Sequence, residues 1–87
     1  MAMNAPIKVQ ATTKVKLQIN ISGAWRNVIE FDGADHQNAV MVMRHAPAIA
    51  TLGKGTLRIV SADGSQTALF SWTSKQGWCD CETGRAL

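Results

Sequence analysis

The chain has 87 residues, 46% hydrophobic and 17% charged, with a formal net charge of +3. That length implies one domain with a thin core and little room for an enlarged cleft, and the composition argues against a disordered chain. No apolar run approaches the about 18 residues of a membrane-spanning helix, and Met1–Gln10 lacks the apolar stretch of a secretory signal, so a cytoplasmic location is the expectation.

Residues 1–6 are expected to form a flexible N-terminal segment. Ile7, Val9, Ala11, Val15, Leu17, Ile19 and Ile21 then alternate with polar residues that include Lys8, Lys14, Lys16 and Gln18. A period of two is the mark of a half-buried strand. Ser22-Gly23 reads as a hairpin turn. The following AWRNVIEF predicts a second strand, with Trp25, Ile29 and Phe31 on its apolar face and Arg26, Val28 and Glu30 on the other. Asp32-Gly33 ends it, and Asp35 is a suitable helix N-cap.

From His36 the spacing changes to three or four residues: Ala39, Val42 or Met43, Ala46, and Ile49 or Ala50. Pro47 interrupts this stripe, because it denies the Met43 carbonyl its usual donor and crowds it. A helix over about 35–46 is expected, then a kink or a second short turn to Leu52, with Gly53 as the stop. TLRIVS, QTALFSWT and WCDCE predict three more strands separated by Asp63-Gly64 and SKQG turns. The fold class is α+β: one domain over residues 1–87, β-β-α-β-β-β, a mostly antiparallel sheet with one helix on one face. Residues 84–87 read as a flexible tail. The face without a helix is open, and Lys14, Lys16, Arg26 and Arg58 are its candidate residues.

Charge is unevenly spread. Residues 1–29 carry Lys8, Lys14, Lys16 and Arg26 and no acid, and all six acids follow. A basic N-terminal third suits a polyanionic partner, either nucleic acid or an acidic protein surface. It equally suits a sheet face kept soluble by lysines.

Cys79-x-Cys81 is too closely spaced for the usual zinc pair, and His36 and His45, separated by about 900° of helical rotation, lie on opposite helix faces. No metal site and no cofactor are expected. On a strand the two Cα atoms are about 7 Å apart, at the limit for a disulfide. Two reduced thiols packed toward the core are favoured, because the alternative buries Asp80 and Glu82. That choice turns Trp78 outward as a candidate contact residue. No Gly-x-Ser-x-Gly, His-Glu-x-x-His or phosphate-binding glycine loop occurs, so the chain reads as a non-catalytic binding protein rather than an enzyme.

The C-terminal third, GTLRIV, a turn, ALFSW, a turn, then GWCDC, resembles the ending of a small type I-F anti-CRISPR inhibitor family. The matching residues are Gly55, Thr56, Arg58, Ile59, Leu69, Trp72, Trp78, Asp80 and Cys81. The resemblance implies a phage-derived inhibitor that binds a CRISPR surveillance complex and blocks target DNA binding. Partner-binding candidates are Lys14, Lys16, Arg26, Arg58 and Trp78. Two other readings stand beside it. One is a small nucleic-acid-binding protein that uses a basic sheet face. The other is a phage or bacterial structural or assembly protein that forms a homodimer through a strand edge.

Overall fold

The computed structural model describes residues 14–87 except 63 and 66. Residues 1–6 and the part of the expected first strand before Lys14 lie outside the described residues. Five strands and one helix follow in the expected order: β1 (Lys14–Asn20), β2 (Trp25–Asp32), α1 (His36–Gly53), β3 (Thr56–Ser61), β4 (Ala68–Thr73) and β5 (Gly77–Asp80). The strands form one antiparallel sheet in the order β2-β1-β3-β4-β5.

The odd-numbered residues of β1 supply the core, as the alternation predicts. Val15, Leu17 and Ile19 pack with Leu57 and Ile59 of β3 and Trp72 of β4, and α1 covers them with Ala46 and Ala50. Two alanines at the contact let the helix axis approach the sheet closely. Of the two alternatives at the end of the stripe, Ala50 faces the sheet and Ile49 faces out.

The Asp35 carboxylate caps α1, accepting from the Gln37 and Asn38 N–H groups at 3.0 and 3.2 Å. At the other end Gly53 is still helical, and Lys54 takes the left-handed turn with φ of 55°. Gly53 and Gly55 serve close approach instead. A Cβ on Gly55 would stand 2.6 Å from the Asn20 carbonyl oxygen, and one on Gly53 would stand 2.8 Å from Ile21 Cδ1. The helix exit is therefore pressed against the end of β1.

The helix runs through Pro47 without ending. The missing donor is replaced from the sheet: the Trp78 indole Nε1 donates to the Met43 carbonyl at 2.7 Å. This overturns the expectation of a helix ending near residue 46. It also overturns the orientation expected for β5. Trp78 stands opposite Trp72, on the helix side, and Cys79 opposite Ser71, on the other. The objection to burying Asp80 falls away because the strand ends there. Its carboxylate accepts the Glu82 N–H at 2.8 Å in the following turn, and Glu82 is exposed. Neither thiol belongs to the core: Cys79 is half-buried and Cys81 exposed.

The expected tail folds back onto β5. Asp80 N–H donates to the Arg85 carbonyl at 2.8 Å, and Leu87 N–H donates to the Trp78 carbonyl at 2.9 Å. Cys79 and Ala86 form an isolated antiparallel bridge.

The Trp78–Met43 hydrogen bond predicts a specific coupling. Trp78→Phe should lower stability by about 1–3 kcal/mol, the cost of leaving a half-buried carbonyl without a partner. In a Pro47→Ala background the alanine's backbone N–H can reach the Met43 carbonyl, so the same change should cost about 1 kcal/mol less. Urea unfolding of the wild type, both single variants and the double variant measures this, and purely additive effects would refute the donor role.

Candidate interaction surface

The face of the sheet opposite α1 is built by a register shift. β2 pairs with β1 as Leu17↔Ile29 on one side of the shift and Gln18↔Asn27 on the other, which leaves Val28 as an extra residue. Such a bulge reverses the face assignment of everything beyond it. Ile29 and Phe31 keep the apolar side. Trp25 pairs with Asn20 and moves to the open face, while Arg26 pairs with Ile19 and moves to the helix side. The sequence expectation for both residues is therefore reversed, and Arg26 is not part of the open face.

On that face a row of directly paired residues crosses all five strands: Asn27, Gln18, Arg58, Ser71 and Cys79. Gln18, only 5% exposed, holds the row together. Its amide nitrogen donates to Asn27 Oδ1 at 2.7 Å, and its amide oxygen accepts from Arg58 Nε at 2.7 Å. Both ends of the amide are thus used, which is the condition for burying it without penalty. Held by that bond, the Arg58 guanidinium lies over the Trp25 ring, 4.2 Å from its centroid, within cation–π range. The result is a fixed platform of amide, guanidinium and indole.

The sequence-derived contact residues divide as follows. Lys14 and Lys16 lie on the open face, in register with Asp32 and Glu30 of β2. Arg58 lies there too, committed to Gln18 and Trp25. Arg26 is displaced by the bulge, and Trp78 is turned toward the helix. Three further residues, Gln18, Asn27 and Trp25, complete the platform without a local sequence signal for that role. Gln18 looks like one more polar residue of an alternating strand, and alternation alone puts Trp25 on the apolar side.

Among the described residues no group of three His, Cys, Asp or Glu side chains could hold a metal ion. No helix among them is long and apolar enough to cross a membrane. Comparison with protein-family models, curated proteins and solved structures finds no match to this chain.

Gln18→Leu should lower stability by about 1–3 kcal/mol, since it leaves Asn27 and Arg58 without their shared partner. It should also release the guanidinium from Trp25. Urea unfolding reads the first effect, and displacement of the Trp25 indole resonance in a nitrogen–proton correlation spectrum reads the second. An unmoved Trp25 signal would mean that Arg58 holds its stack without Gln18.

Proposed function

We propose that this protein is a non-catalytic binding module that acts through the open face of its sheet, as a stoichiometric inhibitor of a CRISPR surveillance complex. The single observation that carries the binding role is the Gln18–Arg58–Trp25 platform. It fixes a cation and an aromatic ring, Arg58 and Trp25, over the buried Gln18 amide, bordered by Lys14 and Lys16, on a face that α1 does not cover. Side chains already fixed in the free protein lose little freedom on docking, which favours tight association. The choice of a CRISPR complex rests on the C-terminal resemblance alone.

The charge pattern favours a protein partner over nucleic acid. Glu30 and Asp32 stand opposite Lys16 and Lys14. A phosphate backbone would meet carboxylates beside each lysine, whereas a mixed-charge protein surface can match both signs. Trp78 and Asp80, which carry part of the resemblance, act within the fold, one donating to Met43 and the other accepting in its own turn.

In a pull-down on a type I surveillance complex, the wild-type chain should be retained and should prevent target DNA from binding. Lys14→Ala/Lys16→Ala should weaken retention by about tenfold or more while leaving the thermal melt close to wild type. No retention of the wild-type chain would refute the inhibitor reading. A shift of duplex DNA by the protein alone, lost steeply with salt, would replace it with direct nucleic-acid binding.

A further inference from the structure

The two edges of the sheet are treated differently. The outer edge of β5 is occupied by the chain's own last residues, through the Cys79–Ala86 bridge and the Leu87-to-Trp78 hydrogen bond. β2 is the opposite edge, and no described strand lies beyond it. Seven of its eight residues are exposed, Val28 at 49% and Ile29 at 52% among them. An edge strand with exposed apolar side chains is a template for another strand.

The bulge and the charges along β2 indicate which strand fits. The bulge puts Trp25 and Asn27 on the open face together with Glu30 and Asp32, and puts Arg26 on the helix side together with Phe31. In an antiparallel pair, residues opposite each other must share a face. A second β2 meets that condition when the two-fold axis passes between Val28 and Ile29. Asn27 then faces Glu30 of the other copy, Trp25 faces Asp32, Arg26 faces Phe31, and Val28 and Ile29 meet at the axis. Amide meets carboxylate, cation meets aromatic ring, and apolar meets apolar. A parallel neighbour would instead align Glu30 with Glu30 and Asp32 with Asp32. A two-fold contact of this kind is closed, so it stops at two copies.

We propose that β2 is a homodimerisation edge, pairing antiparallel with β2 of a second copy to extend the sheet across the molecular two-fold. This inference does not depend on the partner proposed above. It concerns the rim of the sheet, and it is read by the state of the protein alone.

Sedimentation of the full chain at about 100 µM should show a dimer, a concentration at which a contact with a dissociation constant of about 10 µM is mostly paired. Asn27→Asp keeps the oxygen that accepts from Gln18 but sets a carboxylate against Glu30 of the other copy, twice per dimer. It should weaken the dimer by about tenfold or more. Adding Glu30→Gln to the same chain should restore pairing, because each new carboxylate then faces an amide. Ile29→Lys should give a monomer whose circular dichroism matches wild type. A wild-type chain that stays monomeric overturns the proposal. So does a dimer that either single variant leaves intact, or an Asn27→Asp/Glu30→Gln chain that fails to pair.

Discussion

The hydrogen bond from the Trp78 indole to the Met43 carbonyl ties the last strand to the middle of the only helix among the described residues. A proline inside a helix removes one donor and leaves one carbonyl open. Here the open carbonyl is a docking point, and a side chain from 35 residues further along the chain fills it. The bond fixes which side of β5 faces in. It thereby sends Cys79 to the open face, directs the Asp80 carboxylate into its turn, and presents the outer edge of β5 to the returning C-terminal residues. The helix survives its proline because the sheet supplies what the proline lacks.

The second organising constraint is buried polarity. Gln18 sits at the centre of the open face, where an alternating strand would put an exposed polar residue. It is only 5% exposed there, which is tolerable because Asn27 and Arg58 use both ends of its amide. The same arrangement holds the guanidinium over Trp25. The face opposite the helix thus combines a polar network with one fully buried apolar residue, Val60, paired with Lys16, while the helix side is ordered by apolar packing around Leu57, Ile59 and Ala50.

Much of this fold is legible in the sequence because its signals are local. The period of two in β1, the Asp35 cap, the three-to-four spacing of α1 and the turn glycines each reflect a choice made within a few residues, and the element order follows from them. The surface is less legible because its decisive features are relations between distant residues. Pro47 signals a break, and nothing near it shows that Trp78 mends it. Alternation places Trp25 and Arg26 correctly relative to each other but on the wrong sides, since a bulge leaves no clear mark in a single strand. The burial cost of Asp80 argues for inward cysteines only while the strand continues. The chain turns there instead, and the turn supplies the carboxylate's donor.

The bulge at Val28 also bears on which changes of length the binding face would survive. Trp25, Asn27, Ile29 and Phe31 are all odd-numbered, yet the first two serve the open face and the last two the helix side. One spare residue carries that change of phase. An in-frame loss of its codon would straighten the ladder and leave every pairing on either side in place, so indole, amide and apolar anchors would all keep their stations. Loss of the Arg26 codon, two positions away, would bring Trp25 opposite Ile19 and remove the indole from beneath Arg58. The hairpin thus has one point at which a residue can be lost without moving indole, amide or apolar anchors to the other side of the sheet.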